Sequence, residues 1–329
     1  MAQSATRRGD PDLPHRYVFD EGHHIFDAAD SAFSIRLSGQ EGMELRRWIR
    51  GAENSGRRGK GLKGRVEDLI GDDEDARQNM EQIITAARSL PADGWLGRLS
   101  DNSPFGPTEN FLALVRQLIL TRSADTDPYH SLETPVDHVN DDLKKAADDV
   151  THALQELMQP LHKLAAQLLK KLDDDAAELD SNMRARLESV SRSLIRRADI
   201  ISQGWIPMLA RLGHEKNEAF VDWFELDRFQ GRDMDTGMYR HWVDPSLPFV
   251  ETVLKPAHGA VITSATLRDR TADNENPDIE WHAAEVRTGA AHLITPPRRM
   301  SLKSPFNYAD QSRIFIVNDM NKRLALIPI

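Results

Sequence analysis

The amino-acid sequence predicts an α/β fold in which a long helical segment interrupts a small number of strands. A short β-prone stretch, Arg16–Phe19, leads directly into an acidic pair. From about residue 40 to 213, alanine, leucine, arginine and glutamate predominate, and apolar residues recur at helical spacing. Compact apolar runs of the kind found in buried parallel strands then follow at 259–263 and 314–317.

Composition limits the possible classes of protein. The chain has 329 residues, enough for about two domains. Its net charge is 42 − 52 = −10, which argues against a chain that coats nucleic acid over its whole surface but allows a local basic track. No cysteine is present, so disulfides and cysteine-ligated clusters are excluded within these residues. No apolar run reaches the roughly 20 residues of a membrane span, and we expect a cytoplasmic protein.

Two apolar stripes at steps of three and four predict helices packed on a core. The first stripe is Val150, Leu154, Leu157, Leu161, Leu164, Leu168 and Leu172, and the second is Met183, Leu187, Val190, Leu194, Ile201, Trp205, Met208 and Leu212. Between them lies an acidic segment in which Asp180 or Ser181 can cap a new helix. We therefore predict two antiparallel helices rather than one very long helix.

The segment after residue 213 predicts a pair of strands. Two aromatic-rich stretches, 219–224 and 238–243, flank residues 231–237, which begin and end with glycine. This pattern predicts two strands around a loop.

Two short motifs carry the chemistry. In the first, Asp20-Glu21-Gly22-His23, a strand end would fix Asp20 where it can hold Mg²⁺, mostly through water. Glu21 would orient and deprotonate an attacking water, and His23 would sense the phosphate. The second motif contains Ser264 and Thr266, whose hydroxyl groups at a strand end can hydrogen-bond that histidine. Taken alone, each motif is also compatible with an ordinary polar loop after a strand.

Together, the motifs resemble those of DinG/XPD-type ATP-dependent DNA helicases. Residues 20–31 resemble the extended DEAH-type box, 263–267 resemble motif III, and 304–308 resemble the segment that leads into the second motor domain. The resemblance implies an incomplete RecA-like P-loop helicase motor domain interrupted by a large all-α Arch-like insertion. It also implies ATP and Mg²⁺ as cofactors, and translocation on single-stranded DNA, 5′ to 3′, in repair or replication.

The resemblance also implies a division of the chain. We expect a partial motor domain 1, the helical insertion, a return to motor domain 1 with the Ser-Ala-Thr motif, and the start of motor domain 2. The corresponding residues are 1–38, 39–215, 216–300 and 301–329.

The sequence departs from the family pattern in its phosphate-binding loop. No Gly-x-x-x-x-Gly-Lys-Ser/Thr motif is present, and the nearest mimic, residues 59–61, lacks the required first glycine and the following hydroxyl residue. We therefore expect that this chain is part of a helicase and has no robust ATPase or helicase activity by itself. Its expected partners include the missing motor segments of the parent helicase. Whether the parent enzyme carries an iron–sulfur cluster is left open. The alternatives are a non-catalytic helical module that binds DNA or protein, and, less favoured, a different P-loop hydrolase.

Basic residues predict a DNA-binding track at the start of the helical segment. The candidates are Arg46, Arg47, Arg50, Arg57, Arg58, Lys60, Lys63 and Arg65. A solvated loop that balances the acidic run at 72–75 is an equally weighted alternative. A second basic set is predicted instead to be a solvated helix face: Arg184, Arg186, Arg192, Arg196 and Arg197. Core roles are favoured for Trp48 and Trp95, and packing rather than catalysis for His241.

Overall fold

The computed structural model describes residues 14–53, 60–123, 129–174, 179–214, 217–269 and 277–316. The chain divides into two units, Met1–His292 and Leu293–Ile329. The first unit contains two small sheets and most of the described helices. The expected mixed α/β class with a large helical part is therefore confirmed.

The smaller sheet has two parallel strands. Strand β1 (Arg16–Phe19) pairs with β6 (Gly259–Ile262), and Val18 stands opposite Val261. The parallel strand predicted near 259–263 is confirmed, but its predicted burial was wrong. Val18 is 74% exposed and Val261 59% exposed. Among the described residues each strand has only the other as its neighbour, and such a narrow sheet leaves one face uncovered.

The larger sheet is antiparallel and has four strands. Strands β2 (Ile35–Ser38), β3 (Leu132–Pro135), β4 (Phe220–Phe229) and β5 (Arg232–Trp242) follow the spatial order β2-β5-β4-β3.

Strands β4 and β5 form a hairpin with a very short turn. Gln230 and Gly231 both have positive φ, 50° and 76°, as a two-residue hairpin turn requires. The two strands are confirmed, but the predicted loop at 231–237 was wrong, because this turn allows β5 to begin at Arg232. Within β5, Gly237 allows close strand approach, since a Cβ there would lie 2.4 Å from the Leu37 carbonyl oxygen.

Helices form most of the first unit. They are α1 (Ile25–Phe33), α2 (Gly39–Arg50), α3 (Lys63–Ile70), α4 (Glu74–Ala86), α5 (Trp95–Ser100), α6 (Gly106–Arg122), α7 (Asp141–Asp174), α8 (Ser181–Asp199), α9 (Ile206–Leu209), α10 (Ser246–Phe249) and α11 (Pro277–Arg287). Short 3₁₀ turns lie at Gly22–His24, Ala87–Ser89 and Ala290–His292, and π-helical turns at Ile200–Trp205 and Val250–Leu254. No helix in the described ranges combines the length and apolar character needed to cross a membrane.

The two long helices predicted from the apolar stripes are confirmed. Asp180 caps α8, because its carboxylate accepts a hydrogen bond from the Met183 N–H at 2.7 Å. At this end of the pair, the Lys171 ammonium reaches the Leu69 carbonyl and Arg186 pairs with Asp68. At the other end, Gly213 lies against the Lys144 side chain. The two helical segments therefore run antiparallel.

One hydrophobic core joins the helices to the four-stranded sheet. Leu37 of β2, Phe224 of β4 and Met238 of β5 are fully buried in the same cluster as the leucines of α7. Phe111 of α6 packs edge-on against Phe224, with ring centroids 6.4 Å apart. The hairpin residues, which the sequence interpretation grouped with the Ser-Ala-Thr segment, thus share a core with the helical segment.

The second unit has little regular structure in its described part, residues 293–316. A short helix, α12, spans Tyr308–Gln311. The strand predicted at 314–317 was wrong for residues 314–316, which form no strand and are 81% to 89% exposed; residue 317 lies outside the described residues. An apolar run forms a strand only where a neighbouring strand accepts its hydrogen bonds.

Candidate functional site

The parallel pairing of β1 and β6 brings the two sequence motifs to the same end of the small sheet. Each motif follows the carboxyl end of its strand, and parallel strands present these ends at one edge. The Thr263 N–H donates to the Phe19 carbonyl at 2.9 Å, and the Gly22 N–H donates to the Thr263 carbonyl at 2.9 Å. Backbone hydrogen bonds therefore hold the motifs together beyond the last paired strand residues.

Glu21 has an unusual backbone conformation at this junction. Its φ and ψ, 52° and 47°, lie in the left-handed region, which non-glycine residues seldom adopt. The Glu21 N–H donates to the Asp20 Oδ1 atom at 3.0 Å. The left-handed residue turns the chain sharply after β1, and the short 3₁₀ turn that carries His23 begins directly after it. Strained residues of this kind cluster at functional sites.

Gly22 is required by the close approach of β6. A Cβ built at Gly22 would lie 2.3 Å from the Ile262 Cγ2 methyl, far inside van der Waals contact. The absence of a side chain at Gly22 therefore allows the two motifs to approach each other this closely.

Four side-chain groups form one hydrogen-bond network. The His23 Nδ1 atom lies 2.7 Å from the Ser264 Oγ atom. The Ser264 hydroxyl donates to the Glu21 Oε2 atom at 3.3 Å and accepts from the Thr266 N–H at 3.3 Å. A carboxylate oxygen only accepts, so the Ser264 hydroxyl donates its proton to Glu21. The Ser264 oxygen is therefore assigned as the acceptor of a hydrogen bond from the His23 Nδ1–H group. The Thr266 Oγ1 atom lies 3.4 Å from the same serine oxygen.

The two carboxylates of this site face solvent. Asp20 and Glu21 are both exposed, while His23 is half-buried and its ring lies 3.9 Å from that of His24. The Glu21 Oε2 atom is engaged by Ser264 and lies 3.3 Å from the His23 Nδ1 atom. An exposed, oriented carboxylate of this kind can accept a proton from a water molecule.

The oxygen ligands fit a hydrated Mg²⁺ ion. Carboxylates are its preferred protein ligands, and it usually keeps several waters, which agrees with the exposure of Asp20 and Glu21. Within the described residues, no group of three or more His, Asp or Glu side chains could hold a metal ion directly. Asp20 and Glu21 are therefore the two exposed carboxylates of the site that could hold such an ion through water.

A second contact links this site to the four-stranded sheet. Helix α1 follows the first motif, and both carboxylate oxygens of its Asp30 lie 2.8 Å from the His241 Nδ1 atom on β5. The His241 ring also lies 4.9 Å from the Trp223 ring. The sequence predicts a packing role for His241 and no individual role for Asp30. The two residues are 211 positions apart in the sequence, and only the fold brings them into contact.

Three of the predicted DNA-binding residues are held by acids. Arg46 is 8% exposed and donates to Glu53 and to two backbone carbonyls. Arg50 shares Glu53, with its Nε atom 2.5 Å from the Oε1 atom. Arg47 is exposed and pairs with Asp93 at 2.7 Å. Arg46 and Arg50 therefore join the helix to its surroundings.

The other predicted DNA-binding residues differ in their surroundings. Lys63 is exposed and lies 3.3 Å from Glu81. Lys60 is exposed. Arg65 is exposed, and its guanidinium lies 5.4 Å from the Trp48 ring centroid. Arg57 and Arg58 lie outside the described residues.

The core role expected for both tryptophans is found for Trp95 and only in part for Trp48. Trp95 is buried, at 3% exposure, and its core role is confirmed. Trp48 is half-buried and also carries the guanidinium of Arg197, 3.7 Å from its ring centroid. Sequence reasoning missed this contact, because α2 and α8 are distant along the chain.

Comparisons with known proteins add no family assignment. The chain matches no protein-family model and no curated protein.

Proposed function

We propose that the network of Glu21, His23, Ser264 and Thr266 is the water-activating and coupling part of an ATP-driven DNA helicase motor of the DinG/XPD type. The observation that carries the proposal is the 2.7 Å contact between the His23 Nδ1 and Ser264 Oγ atoms, which joins residues 241 positions apart. The proposed motor is RecA-like, and the helical segment is its Arch-like insertion.

Each residue has a defined role in this proposal. Bound Mg·ATP supplies the γ-phosphate and the charge of the metal ion. Asp20 would hold the ion through water, and Glu21 would orient the water that attacks the γ-phosphate and accept its proton as the bond to the ADP leaving group breaks. Ser264 restrains one Glu21 oxygen and bonds His23, so a change at the carboxylate alters the second motif through a single hydroxyl.

The arrangement favours coupling over an isolated acidic turn. An acidic loop needs neither the left-handed Glu21 nor a glycine pressed against the neighbouring strand. A strained residue costs on the order of 1–3 kcal/mol and is retained where the surrounding structure requires it. Here its effect is to bring a carboxylate, an imidazole and two hydroxyls into one network.

The sequence limits what these residues can do by themselves. It contains no glycine-rich phosphate loop, and such a loop and an arginine finger normally contribute most of the stabilisation of the transferred phosphoryl group. We therefore expect weak binding of Mg·ATP and no DNA-stimulated turnover by this chain alone.

A paramagnetic titration tests the proposal. Mn·ATP is added to the full chain, and the side-chain ¹⁵N resonances of the histidines are followed by NMR. We expect selective broadening of His23 and His24 at millimolar Mn·ATP, and its loss in Asp20→Asn, because the carboxylate recruits the ion. The matched control is Asp27→Asn, which removes an exposed carboxylate from the first turn of α1 and should preserve the broadening.

Two results would overturn the proposal. Broadening that is absent, or that is equal in Asp20→Asn, would show that the motif does not recruit the metal–nucleotide complex. Manganese without ATP is the reference for adventitious carboxylate binding. Robust DNA-stimulated ATP turnover by this chain would contradict the expectation that it supplies only part of a motor.

A non-catalytic, nucleic-acid-binding helical module is the second candidate function. The observation that favours it is that Arg65 of α3 and Arg196 and Arg197 of α8 form no ion pair with a carboxylate among the described residues.

A further inference from the structure

Two arginines converge on one tryptophan of the helical segment, and a third lies close to them. Arg197 of α8 places its guanidinium 3.7 Å from the Trp48 ring centroid, and Arg65 of α3 lies 5.4 Å from the same centroid. Arg196, next to Arg197, is exposed. The fold brings together basic residues from two predicted sets that the sequence keeps more than a hundred positions apart.

The contacts of these arginines are all neutral. Arg197 donates to the carbonyl and hydroxyl oxygens of Ser193 at 3.0 and 2.6 Å. Arg65 donates to the Lys60 carbonyl at 3.4 Å. Across the part of the chain that the structure describes, no carboxylate lies in ion-pair range of Arg65, Arg196 or Arg197. Within those described residues, the positive charge of the cluster is therefore not paired with a carboxylate.

Two acids on the same helices are engaged by other arginines. Asp68, three residues after Arg65, pairs with Arg186 at 2.6 Å, and Glu188 pairs with Arg192 at 3.1 Å. Burial, followed by repulsion from Arg196 and Arg65, lowers the pKa of Arg197 to about 10. Like charges held close together in this way are costly unless an anion joins them.

We propose that Arg65, Arg196 and Arg197 form a binding site for a phosphate group, with Trp48 supporting Arg65 and Arg197, and that the ligand is the phosphodiester backbone of a single nucleic-acid strand. Guanidinium groups bind phosphate oxygens in pairs. The indole ring and Ser193 hold Arg197 without neutralising it, so its charge remains available to a ligand. The choice of a nucleic-acid phosphate as the ligand rests on the proposed function. The observation of the basic cluster is independent of that function.

Binding of the full chain to a labelled 20-nucleotide oligothymidylate, measured by fluorescence anisotropy over a salt series, tests the site. The variant is Arg65→Gln/Arg196→Gln, since both side chains are exposed and their loss spares the core. We expect salt-sensitive binding by the wild type. In the variant, affinity should fall about tenfold at low salt and the log–log salt slope by about 1 to 2, as expected when one or two phosphate contacts are lost.

The control variant removes the same charge elsewhere. Arg77→Gln/Lys255→Gln takes away two exposed cations that pair with acids, and it should retain wild-type affinity. An equal loss of affinity in both variants would show that the effect comes from net charge alone and would overturn the proposed site. Equal binding by all three proteins would also overturn it.

A second arm separates nucleic acid from free phosphate. Thermal unfolding is followed with and without millimolar pyrophosphate. Stabilisation of the wild type but not of Arg65→Gln/Arg196→Gln, together with absent oligonucleotide binding, would overturn the nucleic-acid assignment and leave a free-phosphate site. Because neither arm contains ATP or a divalent ion, failure here is distinguishable from failure of the proposed motor function.

Discussion

At the scale of single residues, Gly22 controls whether the two motifs meet. An alanine there would place its methyl 2.3 Å from the Ile262 Cγ2 methyl. We expect Gly22→Ala to separate the strand ends, break the hydrogen bond between His23 and Ser264, and lower the free energy of unfolding by about 1–3 kcal/mol. Histidine ¹⁵N spectra report the hydrogen bond, and urea unfolding reports the stability.

Second-site variants make this prediction specific. Ile262→Ala removes the offending methyl and should restore the His23 signature in the Gly22→Ala background. Ile262→Val keeps a methyl at the same position and should not restore it. If both double variants behave alike, backbone freedom at Gly22, rather than the contact with Ile262, determines the geometry.

At the scale of elements, α1 connects the small sheet to the large one. It begins directly after the turn that carries His23, and its Asp30 pairs with His241 on β5. The network of Glu21, His23 and Ser264 therefore lies next to one end of a helix, and the same helix contacts the hairpin through Asp30. The pair is a positioning contact, not part of the proposed chemistry.

A double-mutant cycle measures this connection. Asp30→Asn and His241→Gln each remove one partner, and both side chains are only a quarter to a third exposed. We expect a coupling energy of about 0.5–1 kcal/mol in urea unfolding, the upper range for partly exposed ion pairs. Asp30→Asn combined with His152→Gln, a change at an exposed residue of α7 that pairs with Glu156, should be additive. Additivity in the first pair as well would show that Asp30 and His241 do not couple α1 to β5 energetically.

The elements also show what sequence can and cannot predict. The paired long helices and the Asp180 cap were predictable, because apolar spacing and capping are local properties. The hairpin loop was mispredicted, because the positive φ of Gln230 is not evident from its residue type. The contacts of Arg197 with Trp48 and of His241 with Asp30 were unpredictable, since they join residues that only tertiary packing brings together.

At the scale of the whole molecule, the two motifs and the helical core differ in how they are held. The motifs depend on a two-stranded sheet with exposed valines, whereas the helices and the four-stranded sheet share one continuous core. Global stability therefore belongs mainly to the helical core, and local opening should be easiest at the small sheet. A functional change at the motifs can thus occur without unfolding the remainder of the first unit.

Within that core, Glu109 links global stability to pH. Its side chain is fully buried, and it accepts from Arg98 at 2.6 Å and from the Phe105 and Ala92 N–H groups. Burial by itself raises the pKa of Glu109, but these hydrogen bonds outweigh it and the net pKa is lowered. A lowered folded-state pKa stabilises the protein above the unfolded value, about 4.3, and this stabilisation is lost as the pH falls through the folded value.

The variant Glu109→Gln should therefore lose stability in a pH-dependent way. We expect a loss of about 3 kcal/mol at pH 7, because Arg98 keeps its charge without its carboxylate partner, and a steadily smaller difference from the wild type below pH 4. Urea unfolding at pH 7, 5, 4 and 3 measures it. Glu251→Gln, which removes an exposed pair with Lys255, should cost under about 1 kcal/mol at pH 7. A constant difference between Glu109→Gln and wild type at every pH would mean that shape, not charge, is what Glu109 contributes to the core.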